Sequence, residues 1–350
     1  MNRFLLAGYY GYRNWGDEGS LATLLQVLPP SQCVVLSGDP AFSEKTYGVH
    51  ALPRMDLRAV RQAIQQTDAL ILGGGSLLQD ATSLRSLLYY LTLIHWGLKA
   101  HGQVWLVGQG VGPLRRPISR WLTAKVLNRV PFISLRDEES AQLLRAIGVR
   151  APLRVAADLT WALRPSKPHW HLPTERPCVG LAPRTWDDAP VEPAFIALCE
   201  HLHTQGYTPL LIPMQESQDR ALCEAIAQAT GALLVPAPNH PAHLMGLMAH
   251  LEAMVAVRLH GAIFALAQDV PTLCIIYDPK VRALAEQVGM PTLSLDATLP
   301  EQLPRAWAVF DSQRADRRSS LHEHTQILKQ KTHALLYQLA EHISKYSTSS

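Results

Sequence analysis

At 350 residues the chain is too long for one small module, and at roughly 150 residues per domain it fits two domains of similar size. Apolar residues make up 47% and charged ones 17%, against about 25% charged in an average soluble protein, which excludes a disordered chain. Lys+Arg 32 against Asp+Glu 29 leaves a formal +3, so no general attraction to nucleic acid is implied, and any anion must be held by a few placed cations.

The N-terminus reaches a short apolar run at Phe4 to Ala7, without the long h-region of a signal peptide, and Gly8 onward reads as loop. Further runs rich in Val, Ile and Leu follow at Val34 to Leu36, Ala69 to Leu72, Val104 to Val107, Phe132 to Leu135 and Leu153 to Ala156, mostly spaced by helical patterns. This βαβ rhythm predicts a doubly wound parallel sheet over residues 1–160, because strands covered by helices on both faces read as continuous apolar runs. The uncharged stretch Ser86 to Leu98 has only 13 residues, short of the about 20 that a bilayer needs.

Periodicity vanishes between Trp161 and Pro177, where Pro165, Pro168, Pro173 and Pro177 break regular structure, so residues 161–177 read as a linker. A second domain, 178–310, repeats the rhythm with strands expected at Cys178 to Ala182, Leu210 to Ile212, Leu233 to Val235, Met254 to Val257, Leu273 to Tyr277 and Thr292 to Leu295, and a helix at Ala194 to Thr204. The fold class expected is therefore α/β, two Rossmann-like doubly wound domains facing a cleft. Residues 311–350 form an amphipathic helix and tail. Its stripe of Leu321, Leu328, Leu335, Leu339 and Ile343 needs a partner: the first domain, another subunit or a membrane surface. The final Ser-Thr-Ser-Ser is expected to fray.

The clearest local signal is Gly8-Tyr-Tyr-Gly11-Tyr-Arg-Asn14-Trp-Gly16-Asp17-Glu18, where the first strand ends and the first helix begins. Glycines permit close backbone approach, and the N–H groups of a helix start favour a polar or anionic ligand. The spacing is not that of the dinucleotide fingerprint, and the alternative is a tight turn with Asp17 as N-cap. Gly73-Gly74-Gly75-Ser76 and Gly108-Gln-Gly110-Val-Gly112-Pro113 follow two more strands, so several glycine-rich loops share the carboxyl edge where open α/β sheets bind ligands. Ser134-Leu135-Arg136-Asp137-Glu138-Glu139-Ser140 puts a guanidinium at the same edge, either as an anion clamp or in a surface pair with Asp137 or Glu139.

In the second domain Arg258-Leu259-His260-Gly261 closes a strand and opens a helix, a compact arrangement able to bind an anion and move a proton. Tyr277-Asp278-Pro279-Lys280 ends the next strand and would stand Lys280 beside His260. Plainer readings are a hydrogen-bonded core histidine and an exposed helix start. The pairs His169/His171, His201/His203 and His240/His243 have no third ligand at short spacing, and the five scattered cysteines suggest neither a disulfide frame nor a zinc knuckle, so no metal is expected and a reducing, cytoplasmic setting fits. Hydrolase and NTPase motifs are absent.

Taken together, the Gly8 to Glu18 loop, the two glycine-rich loops, Ser134-x-Arg136-Asp137-Glu138-x-Ser140, Arg258-Leu259-His260-Gly261 and Tyr277-Asp278-Pro279-Lys280 resemble the polysaccharide pyruvyltransferases of the cell-surface CsaB type. The resemblance spans about residues 3 to 295 and implies a GT-B-like pair of domains that move the enolpyruvyl carbons of phosphoenolpyruvate onto sugar hydroxyls, leaving a pyruvate ketal and phosphate. It implies no cofactor, phosphoenolpyruvate being the donor substrate. Arg136, Arg258, Leu259, His260 and Lys280 then occupy donor positions, Leu259 through its backbone. Arg136, His260 and Lys280 would act in catalysis, with Asp17 as a base for the acceptor.

Gly8, Tyr9, Tyr10, Gly11, Asn14, Gly16, Asp17, Gly74 and Gly75 are the expected acceptor side, Tyr9, Tyr10, Tyr12 and Trp15 offering rings to sugar CH faces or else packing inward. The implied partner is lipid-linked or nascent cell-surface glycan at the cytoplasmic membrane face, with transient membrane contact and no nucleic acid. Two rivals remain: a GT-B nucleotide-sugar glycosyltransferase, which would release a nucleoside diphosphate, and a non-catalytic glycan-binding protein, which would bind without turnover.

Overall fold

The computed structural model describes residues 3–81, 83–168, 170–173 and 175–349. The chain forms two compact units, one made of the residues up to Leu163 together with those from Leu328 on, the other of Arg164–Ile327. In the first, the elements in chain order are β1 (Phe4–Tyr10), α1 (Trp15–Leu24), β2 (Cys33–Ser37), α2 (Pro40–Tyr47), β3 (His50–Pro53), α3 (Leu57–Gln66), β4 (Ala69–Gly73), α4 (Leu84–Ala100), β5 (Val104–Gln109), α5 (Pro117–Leu127), β6 (Phe132–Leu135), α6 (Glu138–Ala146) and β7 (Leu153–Val155). All strand pairs are parallel, in the order β3-β2-β1-β4-β5-β6-β7. The direction of winding reverses between β1 and β4, the place where open α/β sheets open a crevice at their carboxyl ends.

The continuous apolar runs are central strands: Leu5, Leu6, Leu70, Ile71, Leu72, Leu106 and Val107 are fully buried between helical layers. β3 is a strand that the apolar pattern misses. It is an edge strand of four residues, His-Ala-Leu-Pro, and its exposed ends make its pattern polar.

The second unit holds β8 (Cys178–Ala182), α7 (Val191–Thr204), β9 (Thr208–Leu211), α8 (Glu216–Thr230), β10 (Leu233–Leu234), α9 (Pro241–Met248), β11 (Ala253–Ala256), α10 (Leu259–Leu266), β12 (Thr272–Ile276), α11 (Pro279–Gln287), β13 (Thr292–Ser294) and α12 (Leu299–Ser312). Its parallel sheet runs β10-β9-β8-β11-β12-β13, with the reversal between β8 and β11. α12 lies on α7 and sinks Leu303, Trp307 and Phe310 into this core. The fold is α/β with two parallel, doubly wound sheets.

The boundaries differ from the expected ones. Trp161, Ala162 and Leu163, assigned to the linker from sequence, are buried with the first unit, in and just after a 3-10 turn, Leu159–Ala162, that packs on α1. Residues past Leu163 lie on the second unit, where Ser166 N–H donates to the Ala242 carbonyl and the Ser166 carbonyl presses on Gly246. The last helix, α13, is Arg314–Ser349, so the tail expected to fray is helical up to Ser349, and Ser350 lies outside the described residues. From Leu328 on α13 belongs to the first unit: Leu328, Leu335 and Leu339 are buried, and Thr332 Oγ1 donates to the Asp158 carbonyl (3.1 Å). The five cysteines are buried and free of disulfides.

Candidate functional site

At the carboxyl edge of the first sheet, β1 runs through Gly8 to Tyr10 before the chain turns at Gly11, whose φ is +80°. A side chain there would meet Ser37 Oγ and, at 2.6 Å, the Asp39 nitrogen, so only glycine fits. Glu18 organises the turn from inside. Fully buried, it accepts from the Gly11 N–H (2.8 Å), the Arg13 N–H (3.3 Å) and the Tyr47 hydroxyl (2.8 Å). Burial pushes its carboxyl up to about 7, outweighing those bonds.

Several acceptor-side expectations change here. Gly8 lies inside the strand rather than in a loop, with its carbonyl taken by Arg54 (3.3 Å) and Tyr90 (3.1 Å). Tyr10 and Trp15 are fully buried, and Tyr10 donates to the Gly73 carbonyl (2.7 Å), so neither ring is open to a sugar. Strand alternation sends Tyr9 to the other face from Tyr10, half-buried and stacked on Tyr12 with centroids 4.3 Å apart. The N-cap of α1 is Asn14, not Asp17; Gly16 and Asp17 are buried in its first turn.

Asp17 lies against the loop after β4. Gly74 and Gly75 both have positive φ, +64° and +68°, and a Cβ on Gly75 would stand 2.7 Å from Asp17 Oδ1. Gln109 Nε2 ties this loop to β5 through the Leu72 (3.2 Å) and Gly74 (2.5 Å) carbonyls. Next comes Arg136, past the end of β6, with a side chain only 7% exposed. Its Nε donates to Asp137 (3.1 Å), Nη1 to Asp158 (3.5 Å) and Nη2 to Ser76 Oγ (3.1 Å). A Cβ on Gly110 would touch both Arg136 Nε and Ser76 Oγ at 2.7 Å. Asp17, Gly75, Ser76, Gly110, Arg136 and Asp158 thus form one patch. The guanidinium is buried rather than in a surface pair, Asp137 rather than Glu139 is its neighbour, and two carboxylates already balance it.

In the second unit the residues marked out in the sequence stand past the ends of β11 and β12. Arg258 caps the start of α10 and turns to Asp219, a fully buried carboxylate on α8, with Nε at 3.0 Å and Nη2 at 2.6 Å, while Nη2 also reaches Gln218 Oε1 (2.9 Å). Leu259 and His260 are half-buried in the first turn of α10, whose leading N–H groups have no partner within the helix. Gly261 lets this turn approach β8, since a Cβ there would be 2.9 Å from the Ala182 Cβ. Lys280 is half-buried in the first turn of α11, its N–H bonded to Asp278 Oδ1 (2.8 Å). β11 and β12 are neighbours, so His260 and Lys280 follow adjacent strand ends.

Two residues here were not singled out from sequence. Asp219 is the counter-charge of Arg258, 39 positions away. Arg184, past the end of β8, donates to the Tyr277 hydroxyl (2.7 Å) with its guanidinium 5.1 Å from the Trp186 ring and 4.8 Å from Tyr277. Because β8 and β12 flank β11, this bond spans the strand end that leads to Arg258. The run Ala-Pro-Arg-Thr-Trp directly after an apolar strand was the available signal. Among the described residues no three His, Cys, Asp or Glu side chains gather in a way that could hold a metal; His169 lies outside them. His240 instead caps α9, its Nδ1 accepting the Ala242 N–H (3.1 Å).

The model of the family described as polysaccharide pyruvyl transferase matches residues 39–279. The chain belongs to that family. A polysaccharide pyruvyl transferase is a transferase with a polysaccharide substrate, and the matched stretch includes Arg136, Arg258, Leu259 and His260, while the Gly8 to Glu18 loop precedes it and Lys280 falls one residue beyond. No curated protein sequence matches the chain. Among solved structures this pyruvyl transferase is similar to S. aureus MnaA in a co-structure with UDP, at TM-score 0.69 and 10% identity over 99% of this chain and 97% of that one. It is also similar to Anabaena HepE in complex with UDP-glucose, at TM-score 0.61 and 12% identity over 99% and 100%. A glycosyltransferase from Rickettsia africae matches at TM-score 0.60 and 9% identity, over the whole of both chains. At such identities the likeness is one of fold, a GT-B-like pair of α/β domains.

Proposed function

We propose that this pyruvyl transferase is of the CsaB type and moves the enolpyruvyl group of phosphoenolpyruvate onto two hydroxyls of a lipid-linked or nascent cell-wall glycan, giving a pyruvate ketal and phosphate. The observation that carries the reading is the second unit's switch-point edge, where His260 and Lys280 stand in the first turns of two helices that follow adjacent strands. Two helix starts and short-range cations suit a small dianion with a carboxylate and a phosphate.

The donor's methylene carbon takes a proton, its neighbour becomes oxocarbenium-like, and one sugar hydroxyl adds there. Phosphate then leaves and the second hydroxyl closes the ring; of the two hydroxyl protons given up, one makes good the proton taken by the methylene carbon and the other goes to the departing phosphate. His260 is assigned this proton traffic, since an imidazole can both give and take a proton through its ring nitrogens. Lys280 stabilises the departing phosphate. Arg258, held by Asp219, sets the start of α10 so that the Leu259 and His260 N–H groups meet the donor. Arg136 is kept as a donor-binding residue on the resemblance alone. Asp17, against the Gly75 backbone, is assigned the acceptor hydroxyl's proton.

We place the reaction at the cytoplasmic membrane face by the resemblance. Among the described residues no helix is long and apolar enough to cross a membrane. A second reading, a nucleotide-sugar glycosyltransferase, is favoured by the UDP and UDP-glucose bound in two of the similar structures. Incubation with phosphoenolpyruvate, a sugar nucleotide and lipid-linked disaccharides separates them: a glycan gaining a pyruvate ketal by mass spectrometry, with equimolar phosphate, supports pyruvyl transfer. Nucleoside diphosphate released from a sugar nucleotide, with phosphoenolpyruvate untouched, overturns it.

A further inference from the structure

Arg54 follows the edge strand β3 and is 8% exposed. Its Nη1 donates to the Gly8 carbonyl (3.3 Å) and its Nη2 to the Tyr90 hydroxyl (3.0 Å). The rings of Tyr89, Tyr90, Tyr12 and Tyr9 surround the guanidinium with centroids 4.9, 5.4, 5.8 and 5.9 Å from its central carbon. Every one of these neighbours is neutral. Burial pushes the Tyr89 and Tyr90 hydroxyls above the usual phenol range, so neither supplies negative charge.

The contrast with the other buried guanidiniums is direct. Arg136 has Asp137 and Asp158, and Arg258 has Asp219, whereas among the described residues no carboxylate lies within ion-pair distance of Arg54. A buried cation is normally paired, because leaving water is costly unless an opposite charge replaces it. Aromatic faces attract the charge without cancelling it.

We propose that Arg54 is the seat for an oxyanion carried by a sugar, with the half-buried Tyr9 and Tyr12 as the wall against which that sugar packs. The cage stands at the end of β1, beside the sheet's switch point, and Asp17 is near enough to Tyr9 and Tyr90 to act on their hydroxyls electrostatically. This rests on the reading of the first unit as the acceptor side. It adds that the acceptor is acidic, its charge coming either from a phosphate, as in a glycan linked to a lipid, or from a uronic carboxylate. The remaining N–H donors of the planar guanidinium suit either.

The test needs no phosphoenolpyruvate. Glucose, glucose 1-phosphate and glucuronate are titrated into the full chain by calorimetry. At least one acid is expected to bind ten-fold or more tightly than glucose, and the tighter of the two identifies the source of charge. In Arg54→Gln that preference is expected to vanish. In Arg54→Lys, which keeps the charge but not the fork, it is expected to fall at least three-fold, which also serves should the Gln variant fail to fold. Equal affinity for the three sugars in the unaltered protein, or a preference unchanged in the substituted one, overturns the proposal. Loss of pyruvyl transfer alone leaves this binding intact, and loss of the preference leaves the donor chemistry intact, so the two failures are told apart.

Discussion

Arg258 and Asp219 meet through two guanidinium nitrogens, Nε at 3.0 Å and Nη2 at 2.6 Å from the carboxylate, with the Asp219 side chain fully out of solvent. The same carboxylate accepts the Gln215 N–H (2.8 Å) and so also closes the start of α8. An arginine at the head of α10 is thus fixed by the helix after β9, which sets the strand end that carries His260.

Asp219→Ala leaves that guanidinium buried beside no counter-charge. The expected cost is about 3–5 kcal/mol, confined to the second unit and read as a lowered denaturant midpoint. A midpoint unchanged by the substitution would show that the pair is not holding the edge together.

His260→Asn keeps a polar side chain in the first turn of α10 but removes the imidazole. Turnover with phosphoenolpyruvate and glycan is expected to fall by roughly 10²- to 10⁴-fold, the usual contribution of a positioned acid or base. The donor's dissociation constant should change by less than about ten-fold, since the helix N–H groups remain. Near-normal turnover removes His260 from the proton step.

Glu18 makes stability depend on pH with a definite sign. Its carboxyl is pushed up to about 7 in the fold from an ordinary 4.5, so between those values the unfolded chain has lost a proton that the folded chain still holds. The stabilisation is complete below pH 4.5 and is lost as pH rises through 7, by at most about 3 kcal/mol. Glu18→Gln cannot titrate. Unfolding free energies at pH 5, 6, 7 and 8 should therefore show the unaltered protein losing ground to the variant as pH rises, and a constant difference would refute it.

Gly75→Ala tests the approach of the loop after β4 to Asp17. The left-handed φ of +68° costs a side chain on the order of 1 kcal/mol, and the new methyl would stand 2.7 Å from Asp17 Oδ1. A stability loss of about 1–3 kcal/mol is expected, together with a raised KM for the glycan and an unaltered KM for the donor. An equal rise in both would detach Asp17 from the acceptor.

Much of this architecture was readable in the one-dimensional pattern. Runs such as Leu5-Leu6-Ala7 or Leu70-Ile71-Leu72 are central strands because burial on both faces demands apolar residues without interruption. β3 shows no such run because an edge strand of four residues needs none, and Trp161 to Leu163 read as linker because nearby prolines mask their burial with the first unit. The glycine-rich turns and the arginine, histidine and lysine at strand ends were equally visible, since strand-to-helix junctions are local features.

Which side chains those groups meet was not visible. Tyr9 and Tyr10 are neighbours in the chain, yet one stacks on Tyr12 and the other is sealed against Gly73. Arg258 finds Asp219 across 39 positions and Arg184 finds Tyr277 across 93, while Arg54 is left among tyrosines. Hydrophobic period and turn chemistry act over a few residues and can be read along the chain. Charge pairing at a sheet edge depends on the order β10-β9-β8-β11-β12-β13 and its counterpart in the first unit, and that order arises only when whole helices and strands pack together.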